Sequence, residues 1–126
     1  MPITAEERTA RELLRSVVGD RDARLYEALG FLSVEDAGGE YGFLIYPQRP
    51  VVSYDARSGE LLSEYCVRFR DRAERLPDAD DVLAKWMALQ WDEERLLEIA
   101  NIDPIGTQLD PEMVRRDLKA MRQWQR

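Results

Sequence analysis

The chain has 126 residues and a mass of 14.7 kDa; 44% of its residues are hydrophobic and 34% are charged, and 25 acids against 18 bases leave a formal net charge of −7. Histidine is absent and Cys66 is the single cysteine, which excludes Ser-His-Asp and Cys-His catalysis, an HExxH zinc helix, a disulfide framework and any CxxC site. Uninterrupted apolar runs such as Phe43 to Tyr46 are far below the roughly 18 residues of a membrane span.

Residues 4–18 read as an amphipathic helix. Thr4 and Glu7 have capping-box spacing, in which the hydroxyl takes one free amide and the carboxylate another. Ala10, Leu13, Leu14, Val17 and Val18 fall on one stripe, and Gly19 suits a left-handed stop. Asp20 to Leu29 reads as a second, shorter helix, capped by Asp20 or Asp22, ended by Gly30 and contributing Leu25, Tyr26 and Leu29 to the core. Five acids balance five bases between Glu6 and Arg24, as expected of scaffold.

From Phe31 the pattern turns to strands separated by turn chemistry: FLSVE, EYGFLIY, VVSY and ELLSEYCVRF. Gly38-Gly39 and Ser58-Gly59 supply positive-φ positions, and Pro47 and Pro50 bracket a connection because they cannot donate to a ladder. An antiparallel meander of three or four strands follows. In its second strand Tyr41, Phe43 and Ile45 oppose Leu44 and Tyr46, so both faces are apolar, as expected of a central strand or of a sheet covered on both sides. In its last strand Leu61, Tyr65, Val67 and Phe69 should share the face that meets the helices, with Leu62, Glu64, Cys66 and Arg68 on the other.

Residues 71–77 read as a charged linker. Helix signals resume at Asp78 or Asp80 and run towards Ala100, with Val82, Trp86, Leu89, Leu96, Leu97 and Ala100 as the core stripe and Asp92 offering a cap for a break after Trp91. Asn101 and Asp103-Pro104 stop it. After a short loop, Asp110, Pro111 and Glu112 form a strong start for a last helix that runs to about Trp124. The chain, 1–126, therefore reads as one α+β domain: two N-terminal helices, the meander and two C-terminal helices.

Five features carry the candidate chemistry. Residues 78–98 hold seven acids and two bases, and Glu94 and Glu98 share a helical face, the spacing with which two carboxylates can jointly hold a hard cation such as Mg²⁺. No further carboxylate from another element can be named, and the simpler reading is a helix-dipole complement followed by a solvated face. On the last helix Arg115, Lys119, Arg122 and Arg126 recur in steps of four, three and four, and residues 113–126 carry a net charge of +4. Such a ridge can contact phosphates or an acidic partner; the simpler reading has it solvated or paired with the acidic stretch of the preceding helix. Trp91, if its helix is unbroken, lies on a face with Met87, Glu94 and Glu98; burial there is the simpler reading and an exposed anchor the alternative, and Trp124 near the chain end raises the same question. Cys66, with Glu64 and Arg68 as same-face neighbours, reads as a structural thiol. Strand aromatics (Tyr41, Phe43, Tyr46, Tyr54, Tyr65) beside Arg49 and Arg57 also suit base stacking, but residues 31–66 carry a net charge of −4, which repels a phosphate chain. Nucleotide-binding glycine motifs, a GxSxG elbow and an SxxK pair are absent.

The N-terminal MPITAEERTARELL lacks the basic and apolar regions of a signal peptide, and a lone thiol suits a reducing compartment, so a cytoplasmic location is expected. Together these readings describe a small non-catalytic interaction protein of accessory, adaptor or inhibitor type, bacterial or phage in character, with no cofactor, metal or membrane. Docking is expected through the last two helices, with Trp91 and Trp124 as anchors and Arg115, Lys119 and Arg122 orienting a protein partner or a second copy. Two alternatives follow from the same residues: a nucleic-acid-binding accessory protein using the basic helix, and a Mg²⁺-dependent hydrolase centred on Glu94 and Glu98.

Overall fold

A computed structural model describes residues 3–36, 38–67 and 76–125. In chain order the elements are α1 (Ala5–Val18), α2 (Asp20–Leu29), β1 (Leu32–Glu35), β2 (Tyr41–Ile45), β3 (Val51–Asp55), β4 (Leu61–Cys66), α3 (Asp78–Trp91), α4 (Glu93–Ile99), β5 (Asn101–Pro104) and α5 (Pro111–Trp124). The five strands form one antiparallel sheet in the order β1-β2-β3-β4-β5. The α+β class and the meander are as the turn residues predict.

Two departures add elements. The helix over 78–100 breaks at Asp92, whose φ of −152° and ψ of 52° leave the helical region, so three helices follow the meander in place of two. Asp92 makes no side-chain cap bond there. Residues 101–104, expected as a stop and loop, form a fifth strand paired with β4: Tyr65 faces Ile102 and Ser63 faces Pro104. Proline is admissible because β5 is an edge strand with one unpaired side.

The alternation of β2 places Phe43 and Ile45 on one face and Leu44 and Tyr46 on the other, and each face has its own core. Phe43, Ile45, Leu32 and Val51 pack with Ala10, Leu14, Val82, Leu83, Leu89 and Leu96 from α1, α3 and α4. Leu44, Tyr46, Val52 and Tyr54 pack with Val114, Leu118 and Met121 from α5. Helix α2 serves both layers, Tyr26 joining the first and Leu25 the second. Each fully buried side chain of this size contributes roughly 1.5–3 kcal/mol relative to exposure.

Finer details depart from the patterns. On α1 Ala10 and Leu14 are buried, but Leu13 and Val17 are exposed, so the apolar stripe is only partly used. Leu61 was expected to share a face with Tyr65 and Val67. A bulge opposite Ser53 and Tyr54 sets Ser63 against Ser53 but Leu61 against Tyr54, and the slip turns Leu61 towards the α5 core while Tyr65 and Val67 pack on the other. Leu62 is left outside and is 45% exposed. Phe69 and Arg68, together with 71–75 of the linker, lie outside the described residues. Gly19, with φ 94°, both ends α1 and precedes α2, so neither Asp20 nor Asp22 is the cap residue.

The capping box is half-formed, with a tertiary purpose. Thr4 Oγ1 accepts the Glu7 amide at 3.0 Å, as the spacing predicts. The Glu7 carboxylate instead turns to α3, where Oε1 accepts the amide of Ala79 at 3.0 Å, while Oε2 takes Arg11 Nε at 2.7 Å. A carboxylate placed to cap its own helix thus caps another.

A candidate partner-binding groove beside the last helix

Helix α5 is set by its first residues: Asp110 Oδ1 accepts the Glu112 amide at 3.0 Å and Pro111 occupies the first turn. Val114, Leu118 and Met121 then fix its rotation by entering the core. That rotation points Arg115, Lys119 and Arg122 towards the β3–β4 turn. There Arg115, Leu118, Lys119, Arg122 and Gln123 form one wall, and Ser58 and Gly59 the other, of an open groove of about 520 Å³. Three of the five predicted partner-binding residues share this groove, and none of its lining residues is an acid.

Arg122 is held in place. Its Nη2 donates to the carbonyl oxygen of Ala56 at 2.8 Å, and its guanidinium carbon lies 6.0 Å from the centre of the Tyr54 ring. Gly59, at φ 79°, gives it room, since a Cβ there would lie 3.2 Å from Nη1. Arg115 is held more weakly: its partner Glu112 Oε1, 2.7 Å away, is one turn back on the same exposed helix surface, and such pairs contribute at most about 1 kcal/mol. Lys119 is exposed. Asp117, between Arg116 and Lys119 in the sequence of this helix, is turned inwards and accepts the Tyr46 hydroxyl at 2.7 Å. Burial, then that bond, raises the Tyr46 pKa. Burial also pushes Tyr54 up to about 12, against the pull of Arg122.

The opposite wall is preset by Asp55, whose Oδ1 accepts the amides of Ser58 at 2.8 Å and Arg57 at 2.9 Å. Those bonds hold its carboxyl below the ordinary 3.8. No local signal marked Ser58 and Gly59 as groove residues, because they meet Arg122 only after the sheet has folded against α5.

The remaining predicted residues lie elsewhere. Trp124 is partly buried against the α5-side core. Trp91 is 66% exposed and touches the edge of Trp86 at 6.0 Å between ring centres, so the expected burial does not occur. It ends α3, on the opposite side of the sheet from α5, and the helix break separates it from the face of Glu94 and Glu98. One docking surface therefore cannot contain Trp91 together with Arg115, Lys119, Arg122 and Trp124. The same separation removes the expected pairing of the basic ridge with the acidic stretch, since α4 packs through Leu96 into the α1/α3 core. Arg126 lies outside the described residues.

Glu94 and Glu98 are exposed on α4, and among the described residues no group of three or more His, Cys, Asp or Glu side chains is placed to hold a metal ion. The sheet aromatics offer no open stacking platform: Phe43, Tyr46 and Tyr54 are buried beneath helices. Asp81, read as part of a dipole-complementing acidic run, is buried beside Lys85, whose Nζ donates to Asp81 Oδ2 at 2.7 Å and to the carbonyls of Tyr46 and Arg49 at 3.0 and 2.9 Å. Asp81 Oδ2 also accepts the amide of Gln48, which has φ 60°. This ion pair clamps the β2–β3 connection. Cys66 lines a cavity of about 240 Å³ next to it, and every proton of Lys85 is already given to an acceptor of the fold.

Comparison with known proteins gives no match: no family model, curated protein or solved structure resembles the chain closely enough to count. Among the described residues no helix is long and apolar enough to cross a membrane.

Proposed function

We propose that this is a non-catalytic interaction protein that receives an acidic segment of a partner protein in the groove between α5 and the β3–β4 turn. The observation that carries the reading is the convergence of Arg115, Lys119 and Arg122 on a groove without a lining acid, in a chain whose net charge is −7. A local cationic site against an anionic background selects and orients an anionic partner. Arg122 is ordered before binding by Ala56 and Tyr54, which lowers the conformational cost of engagement. Arg115 and Lys119 stand one turn apart, a rise of about 6 Å, which matches carboxylates four apart on a helix.

Fluorescence anisotropy with a labelled Glu-rich peptide tests this. Binding is expected at low salt, weakening as salt rises, and lost in the Arg115→Glu/Lys119→Glu variant. Failure of the peptide to bind at low salt overturns the reading. A single-stranded oligonucleotide is the discriminating competitor: if it binds and displaces the peptide, the groove is a phosphate-binding surface and the nucleic-acid alternative takes its place.

A further inference from the structure

The groove has a natural occupant within this sequence. We infer that the acidic segment is helix α4 of a second copy, seated in the α5 groove of its neighbour, an inference that rests on the groove being a receptor for an acidic protein segment. Helix α4 presents Glu94 and Glu98, both exposed and one turn apart, at the same axial spacing of about 6 Å as Arg115 and Lys119. Run antiparallel, Glu98 meets Arg115 and Glu94 meets Lys119. Three large apolar side chains flank α4 along the chain and stand largely in solvent: Trp91 just before it, 66% exposed, Ile99 at its end, 61%, and Ile102 beyond, 59%. Ile99 and Ile102 add exposed apolar surface next to the charges of this helix, whereas Trp91 is set apart from them by the break at Asp92. On the other partner, the alkyl stems of Arg115 and Lys119 offer apolar surface beneath their charges.

The position of the two surfaces fixes the kind of assembly. The α5 groove and α4 lie on opposite faces of the sheet, so no molecule can fill its own groove. Each copy gives α4 to one neighbour and its groove to another, a heterologous contact that closes as a ring or continues as a chain. The net charge of −7 opposes approach at long range, but at about 0.1 M salt charges more than about 10 Å apart are screened and the local pairing acts alone.

Sedimentation velocity across a concentration series tests this with two variants at exposed positions, Arg115→Ala/Lys119→Ala and Glu94→Gln/Glu98→Gln, and circular dichroism checks their folding. The unaltered chain is expected to grow in mass with concentration beyond a dimer, and each variant to weaken association roughly tenfold or more. Mixed in equal amounts, the two should form a capped one-to-one dimer, because only the Gln variant keeps a groove and only the Ala variant keeps an acidic α4. A monomer throughout the series overturns the inference, as do assemblies insensitive to either variant or a mixture that stays monomeric. If the Glu-rich peptide still binds such a monomer, the groove reading stands and only the second copy is ruled out. Loss of both removes the groove as well.

Discussion

Glu64 shows how far one residue's role can depart from its local pattern. It sits on a strand between Ser63 and Tyr65, is 1% exposed, and faces the α5 side of the sheet. Its carboxylate accepts three amides of the loop leading to α5: Oε2 takes Gly106 at 2.9 Å and Leu109 at 3.3 Å, and Oε1 takes Gln108 at 2.9 Å. A buried anion is tolerable because three N–H groups replace its water. The loop in turn has no need of regular structure, since its donors are satisfied by this side chain. Glu64→Ala leaves those amides without an acceptor, and a loss of about 3 kcal/mol or more is expected by urea denaturation. Glu64→Gln keeps the shape and one acceptor oxygen and should lose less. Gly42 is a second such residue: a Cβ there would lie 2.5 Å from the Tyr54 ring and hydroxyl, so the tyrosine that supports Arg122 lies against bare backbone.

Among the elements, the connection from β2 to β3 is held from α3. The carbonyls of Tyr46 and Arg49 and the amide of Gln48 converge on Lys85 and Asp81, and Gln48 Nε2 reaches the Leu76 carbonyl at 2.7 Å. Helix and hairpin therefore share one buried polar cluster. Removing one charge leaves the other buried without its partner, so Lys85→Ala or Asp81→Ala should each cost about 3–5 kcal/mol. The double variant Asp81→Leu/Lys85→Met should cost less than the sum of the two single losses, a coupling that a double-mutant cycle in denaturant measures directly. The four-residue spacing of Asp81 and Lys85 is visible in the sequence, but an i,i+4 pair on a helix is ordinarily a surface feature. Only the β2–β3 connection, more than thirty residues earlier, makes this one internal.

At the scale of the molecule, two helical layers enclose the sheet, and each covers tyrosines, wholly or in part, whose hydroxyls face acids. Tyr41 donates to Glu93 Oε2 at 3.0 Å and Tyr46 to Asp117. Burial first, then neighbouring carboxylates, raises the pKa of Tyr41 and Tyr54 from 10.0 to about 12, and those of Tyr26 and Tyr46 as well. In the unfolded chain these groups lose protons near pH 10, whereas the folded state keeps them. The unfolded state then binds fewer protons, so stability falls as pH rises from about 10 towards 12 and is fully present below that window. Alkaline titration followed by circular dichroism should show cooperative unfolding across this range, with tyrosinate absorbance rising in step, and Tyr54→Phe should displace the midpoint upwards. Tyrosinate forming well before the secondary structure is lost would contradict it. The sequence by itself determined what depends on near neighbours: the class, a meander of three or four strands from alternation and turn glycines, both apolar faces of β2, the start of α5 and the spacing of Arg115, Lys119 and Arg122. Tertiary structure alone decided β5, whose four residues become a strand only by bonding to β4, the bulge that turns Leu61 to the α5 side, the outward turn of Trp91, and the second wall of the groove. Those outcomes depend on contacts between segments tens of residues apart, and helical period or turn chemistry within a short window carries no record of which distant surface will arrive.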